Sequence, residues 1–233
     1  MARDVCVVTG GGGGLGEQIV RAARDQGLLV VVADVDQTAA QRVTADGGVP
    51  LAADLRDPDE VRQVVEVAKD LAPLRWWVNC AGAWSGGTQF PDGDEWRRTL
   101  ALDLETPMLA TQLCLEPMKS AGGGAVVNVS SSAALGDTAY ASPEYAAAKA
   151  GLIRFTTAVS GLAETRGVRV SCVVPHWIGL PRAYDEWGTM SSAERDASDG
   201  IVPVGEVVNA VLGLAGDPES AGRVVELVGR PVG

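Results

Sequence analysis

Residues 5–16 read Val5-Cys6-Val7-Val8-Thr9-Gly10-Gly11-Gly12-Gly13-Gly14-Leu15-Gly16. Four apolar residues of β type stop at a threonine, glycines follow, and a helical stretch, Leu15–Gln26, begins behind them. A short, continuous apolar run bounded by turn residues is the pattern of a strand buried on both faces. Glycines at a strand-to-helix turn admit positive φ angles and let the backbone approach a phosphate. The helix N-terminus behind such a turn offers unpaired N–H groups and partial positive charge. Gly11, Gly13 and Gly16 fit G-x-G-x-x-G, while Thr9, Gly10, Gly14 and Gly16 fit T-G-x-x-x-G-x-G. A run made of glycine meets either template cheaply, so the strand–loop–helix context carries the reading.

The same alternation continues outward. Leu28–Ala33, Val49–Ala52, Trp76–Val78, Ala125–Val129, Val168–Val174 and Arg223–Val228 read as six further strands. Between them lie helical candidates at Gln37–Ala45 after Asp36, Pro58–Ala72 after Asp57, and Glu95–Ser120, interrupted by Pro107 and Pro117. Pro143–Arg166 and Val204–Ala215 complete the set. Strand and helix in strict alternation imply parallel pairing with right-handed crossovers, hence a doubly wound α/β fold of about seven strands with helices on both faces. No linker or composition break divides residues 1–233, which read as one domain. Residues 176–203 mix Pro, Gly, Trp and charge without a clear period, as expected of a substrate lid.

Composition narrows the function. The 233 residues are 46% hydrophobic and carry 19 basic against 30 acidic side chains, a formal net charge of −11. That balance argues against nucleic acid or an anionic membrane as partner and leaves a small molecule. No apolar run approaches the 18 residues of a membrane span, and the N-terminal one is too short for a signal-peptide core. Cys6, Cys80, Cys114 and Cys172 are scattered through apolar segments without C-x-x-C spacing, which points to free thiols and a reducing cytoplasm. With one histidine, His176, and no thiolate or carboxylate cluster around it, a metal site is not expected.

Asp34 ends the second strand, 18 positions after Gly16, near the separation of about 20 at which an acidic side chain grips an adenosine ribose. A carboxylate there accepts from both ribose hydroxyls and repels a 2′-phosphate. No Arg or Lys lies within the glycine loop, and Val35 follows Asp34. NAD(H) is therefore expected over NADP(H). The plainer role of helix cap falls to Asp36 instead.

Tyr145-Ala146-Ala147-Ala148-Lys149 places a phenol and an ammonium one helical turn apart on one face, with three small residues between. Only 3 of the 19 basic residues are lysines, so the spacing is not easily met by chance. Tyr140 has Glu144, not Lys, four residues on. Upstream, Asn128-Val129-Ser130-Ser131-Ser132 ends a strand in hydroxyls at the carboxyl edge, where open parallel sheets bind ligands.

These residues together resemble the short-chain dehydrogenase/reductase superfamily in its single-domain, Rossmann-type form. The resemblance spans nearly the whole chain: the glycine loop, Asp34, Asp54-Leu55, Asn79-Cys80-Ala81-Gly82, the serines, Tyr145/Lys149 and the strand ending at Pro175. It implies that Gly10, Gly13, Gly14, Leu15 and Gly16 cradle the cofactor phosphates and that Asp54 and Leu55 flank its adenine. Asn79, Ala81 and Gly82 would line its ribose, with Pro175 and Ile178 at its far end. It implies an oxidoreductase interconverting an alcohol and a ketone, working as a homodimer or homotetramer. In that scheme Tyr145 is general acid/base, Lys149 favours its phenolate and binds the nicotinamide ribose, and Ser131, with Ser132 as the register alternative, holds the substrate oxygen.

The chain departs from the pattern twice. Asp103 stands where the family usually has a catalytic Asn; a carboxylate accepts hydrogen bonds but has no N–H to give, and it brings negative charge towards Lys149. After the sixth strand, Pro175-His176-Trp177-Ile178-Gly179-Leu180 replaces the usual Pro-Gly and later Thr. His176 is read as structural before catalytic. Trp84, Trp177 and Trp187, with His176, are expected beside the substrate, which would suit a bulky apolar or aromatic compound. The competing reading is a catalytically weakened dinucleotide-binding sensor or scaffold. The intact serine, Tyr145 and Lys149 speak against it, and no G-x-S-x-G elbow supports a hydrolase.

Overall fold

The computed structural model describes residues 3–84, 93–136, 140–196 and 198–230. Its centre is one sheet of seven parallel strands: β1 (Val5–Thr9), β2 (Leu29–Asp34), β3 (Val49–Ala52), β4 (Leu74–Asn79), β5 (Gly124–Val129), β6 (Val168–Pro175) and β7 (Val224–Leu227). The spatial order is β3-β2-β1-β4-β5-β6-β7, so the winding reverses between β1 and β4. Every expected strand is present. Successive side chains of the central strands feed opposite cores: Cys6, Val8, Val30 and Val32 enter one, Val5, Val7 and Val31 the other. α1 (Gly14–Asp25), α2 (Gln37–Thr44) and α10 (Val204–Gly216) cover the first face, and α3 (Pro58–Leu71) and α5 (Thr106–Ser120) the second.

Local chemistry sets the helix starts. The Asp36 carboxylate accepts from the Ala39 N–H (3.1 Å) and that of Asp57 from the Asp59 N–H (2.9 Å), with Pro58 at the first helical position. The expected helix 95–120 is broken into α4 (Glu95–Leu100), a π-helical turn (Ala101–Glu105) and α5. Pro107 has no N–H to return to the carbonyl of Asp103, four residues earlier, and the Thr106 N–H instead reaches back to Ala101. Pro117 sits inside α5 without breaking it. The expected helix 143–166 is two, α6 (Pro143–Ala158) and α7 (Leu162–Arg166), parted at Ser160-Gly161, where helix propensity drops. The described residues of 176–203 are more regular than their sequence suggests. They carry α8 (Pro181–Thr189) and α9 (Ser192–Asp196), and a parallel bridge between Ile178 and Val202 closes their base. No helix among the described residues is long and apolar enough to cross a membrane.

One buried polar chain interrupts the valine-rich interior. Trp77 Nε1 donates to Asn79 Oδ1 (2.7 Å), Asn79 Nδ2 to Asn128 Oδ1 (2.8 Å), and Asn128 Nδ2 to Thr156 Oγ1 (2.9 Å). Thr156 passes its own proton to Leu152 O (2.9 Å), so the chain runs from β4 through β5 into α6 with its members satisfied. Removing the middle member orphans donors and acceptors on both sides. We expect Asn128→Ala to lower unfolding free energy by roughly 2–4 kcal/mol in urea titration; a loss below about 0.5 kcal/mol would show that the chain does not tie α6 to the sheet.

Candidate active site

The carboxyl ends of β1, β2, β4, β5 and β6 open into one cleft of about 1300 Å³. At its floor, Thr9 Oγ1 donates to Val78 O (3.3 Å) and accepts from the N–H groups of Cys80 (3.0 Å) and Ala81 (3.1 Å), fixing the turn after β4 against the glycine loop. That contact leaves no room for side chains. A Cβ on Gly16 would lie 2.1 Å from the Gly10 carbonyl oxygen, and one on Gly10, which has φ +63°, would lie 2.8 Å from Ala81 Cα. Gly13, just ahead of α1, supplies no side-chain cap, which leaves first-turn N–H groups for a phosphate where Gly13, Leu15 and Gly16 line the cleft. Asp34 accepts from Gly12 N (2.8 Å) and Asp36 N (3.0 Å), which aims its carboxylate at the loop from the end of β2. Leu55 and Asp54 form the adjoining wall, and paired Arg56 holds the Asp54 carboxyl below its ordinary range. A dinucleotide suits this half of the cleft: uncapped N–H groups for phosphate, a carboxylate for ribose, and the Leu55 side of the wall for a base.

The glycine loop itself holds no basic residue, but one arrives from α2. Arg42 donates to Gly12 O (2.9 Å) and pairs with Glu17 (2.8 Å), which also binds Arg21 (2.7 Å). Hydrogen bonds from Arg42 and then Arg21 hold the Glu17 carboxyl at about 2. Because the folded value lies below the unfolded one, Glu17 adds stability above about pH 4.5 and loses it as pH falls towards 2. Glu17→Gln is expected to cost about 1 kcal/mol at pH 7 and nothing near pH 2, read from paired thermal melts across that range. A deficit independent of pH would contradict the pairing.

At the other end, α6 presents Tyr145 and Lys149 to the cleft. Lys149 is 4% exposed; Nζ donates to Val129 O (3.0 Å), pairs with Asp103 Oδ1 (2.9 Å) and lies 5.5 Å from the centre of the Tyr145 ring. Burial alone would lower the Lys149 ammonium, but Asp103 and its other neighbours outweigh that and leave it raised. Asp103 is fully buried behind Lys149, and its second oxygen accepts from Ala83 N (3.1 Å). A Cβ on Gly82 would come within 2.7 Å of Asp103 Oδ1, so a glycine is required at that turn. Ser130 Oγ binds Lys149 O (2.9 Å) and takes no part in the choice between Ser131 and Ser132, both of which line the cleft. Ser131 Oγ accepts from Ala133 N (3.2 Å), capping a short 3-10 turn, Ser132–Ala134.

Around the mouth stand Trp84, Tyr140, Trp177, Ile178, Leu180 and Arg182. Arg182 lies 5.0 Å over the Trp84 ring and pairs with Glu186 (2.6 Å). Two expectations need correction. Trp187 does not face the cleft: it is 6% exposed and packs inside the 176–203 segment against Ala183, Ile201 and Trp177. The amide of Asn79 turns into the buried polar chain rather than towards a ribose, while Cys80, Ala81 and Gly82 form the wall. His176 lines the cleft but spends both ring nitrogens on carboxylates, Nδ1 on Asp199 (2.9 Å) and Nε2 on Glu226 (2.7 Å), joining the segment's return to β7. Asp103 lies buried behind the cleft surface and Gly14, though exposed, is not part of its lining; Gly10, Gly13, Leu15, Gly16, Asp34, Asp54, Leu55 and Pro175 form part of it. Arg42, Leu180, Arg182 and Tyr140 stand at the cleft and its loop without a sequence motif that marks them. Pro181 at a first helical position was the available signal for Arg182.

A doubly wound sheet with a glycine-rich turn at one end of its cleft and a phenol–ammonium pair at the other agrees with the class that known proteins give it, an oxidoreductase acting on CH–OH groups. The chain belongs to the short chain dehydrogenase family, whose model matches residues 4–185. It is 32% identical over 232 residues to a cis-4-hydroxycyclohexanecarboxylate dehydrogenase of Sinomonas cyclohexanicum, covering 94% of this chain and 92% of that one. It is 31% identical over 186 residues to a cyclohexanol dehydrogenase of Acinetobacter sp. (strain SE19), covering 76% and 74%. Among solved structures, an apo SCOR enzyme from Clostridium thermocellum superimposes with a TM-score of 0.80 at 26% identity, over 97% of this chain and 91% of that one.

Proposed function

We propose that the protein interconverts a secondary alcohol and its ketone with NAD(H), on a cyclic substrate admitted beneath residues 176–203 acting as a lid of a single domain. The observation that carries the reading is the placement of Tyr145 and Lys149 in the same cleft as the Asp34 carboxylate and the uncapped start of α1. A nicotinamide dinucleotide bound along this cleft supplies the acceptor or donor of hydride. The Tyr145 hydroxyl takes the proton of the alcohol during oxidation, or gives it to the carbonyl oxygen during reduction. Lys149, held by Val129 O and Asp103, lines the cleft and would bind the ribose hydroxyls of the bound cofactor. Ser131 orients the substrate oxygen. Asp34 favours NAD(H) because a 2′-phosphate beside it would meet a second negative charge, while Arg42 is committed to Glu17 and Gly12.

A cyclic substrate is supported by the ring-lined mouth, Trp84, Tyr140 and Trp177, and by the two relatives named for cyclohexane-type alcohols. Four free cysteines suit the cytoplasm, and the family resemblance supports a homodimer or homotetramer. Following NADH absorbance with a panel of cyclic ketones and alcohols tests the whole reading. Turnover is expected with NADH at least tenfold more efficient than with NADPH, and Tyr145→Phe is expected to lose at least 1000-fold in kcat while its NADH affinity stays within about threefold. Near-normal turnover in Tyr145→Phe would reject the acid/base assignment; NADPH preference would reject the role given to Asp34.

A further inference from the structure

The family pattern places an amide where this chain has Asp103, and the geometry explains why a carboxylate belongs here. Both carboxylate oxygens face donors: Oδ2 meets the Ala83 N–H at 3.1 Å and Oδ1 meets Lys149 Nζ at 2.9 Å. An amide satisfies one of those donors and sets its own NH₂ against the other. Gly82 leaves the space through which the pair meets, since any side chain there would strike Asp103 Oδ1. The π turn supplies the position, with the Pro107 ring displacing the regular helix at this point.

The charge balance of the acid/base pair follows. Among the described residues, the titratable groups felt by Lys149 are Asp103 from the π turn, Tyr145 from α6, Cys80 from the end of β4 and Cys172 from β6. Tyr140 faces Tyr145 from the loop ahead of α6. Burial pushes the Cys80 and Cys172 thiols up to about 12, so they are neutral across any ordinary assay. Asp103 is then the one full negative charge beside Lys149 among these groups.

We propose that Asp103 is a positioning residue that neutralises Lys149, so that Tyr145 faces a compensated rather than a bare ammonium and the site stands ready as a proton donor to a carbonyl. This rests on the oxidoreductase reading above for its kinetic consequence only. The ion pair itself is independent of that reading. The proton balance is simple: reduction moves the Tyr145 hydroxyl proton to the carbonyl oxygen as hydride reaches its carbon, and solvent restores the proton to the phenolate.

Two measurements decide it. In heteronuclear NMR of protein labelled at its three lysines, without cofactor, the Lys149 ammonium of the wild type is expected to stay protonated past pH 10.5, whereas Asp103→Asn titrates at least one unit lower. In pH–rate profiles, Asp103→Asn is expected to move the acid limb of alcohol oxidation and the alkaline limb of ketone reduction together, down by about one unit. They move together because both directions use one proton-carrying group. Should the variant not fold, the wild-type titration still stands as the test, and deprotonation of Lys149 below pH 10 overturns the pairing. A lysine shift with unmoved pH limbs and a uniformly lower kcat would reduce Asp103 to a structural role and overturn the proposal. If neither protein turns over any alcohol or ketone, the oxidoreductase reading and the kinetic half of the proposal fall together, and the NMR titration alone judges the ion pair.

Discussion

Parallel strands cannot be joined by a tight hairpin; each must be followed by a crossover that returns the chain to the starting edge. With seven such strands, every strand of the sheet ends at one edge and every helix that follows one starts there. That constraint brings Thr9, Asp34, Asn79 and Val129, far apart in sequence, to one line at the sheet's carboxyl edge. Where the winding reverses, between β1 and β4, the flanking crossovers depart to opposite faces and leave a cleft that no helix fills. The glycine loop, the Gly82 turn and the start of α6 gather around it without any of them having to leave regular geometry far behind.

Most of the buried side chains are aliphatic, so two buried polar arrangements between the sheet and α6 carry weight. The Trp77–Asn79–Asn128–Thr156 chain fixes the height of α6 over β5, and the Lys149–Asp103 pair fixes α6 against the π turn. Both are affordable only because each member has a partner. The two devices act at different levels. One is neutral and sets position; the other is ionic and sets position and charge at once.

Sequence patterning disclosed the sheet well because a strand buried on both faces is a run of valine, and no long-range information is needed to see one. The strands at Val5, Leu29 and Val49 begin within a residue of where the pattern places them. It disclosed the ends of the cleft for a similar reason: Gly10 to Gly16, Asp34 and Tyr145/Lys149 are local motifs. What it left out is made by contact between distant segments. Arg42 reaches the glycine loop from another helix, and the side chain of Asn79 turns inwards because Asn128 is there to receive it. Trp187 looks like a pocket residue by position, but its ring fills the small core beneath Ala183 and Ile201. The break at the π turn was half legible: Pro107 announces an interruption, whereas the type of turn depends on Thr106 reaching back to Ala101.

The bridge between Ile178 and Val202 has an evolutionary side. It stitches together the two ends of the excursion that holds α8 and α9, and Gly179 N–H donates to Val202 O (2.8 Å) just inside the stitch. An excursion whose ends are already joined adds little further closure entropy when its length changes, because that cost grows only with the logarithm of the loop. The stretch between Leu180 and Gly200 can therefore change length at small entropic cost, while the Lys149–Asp103 and Asn79–Asn128 pairs, which lie outside it, stay as they are.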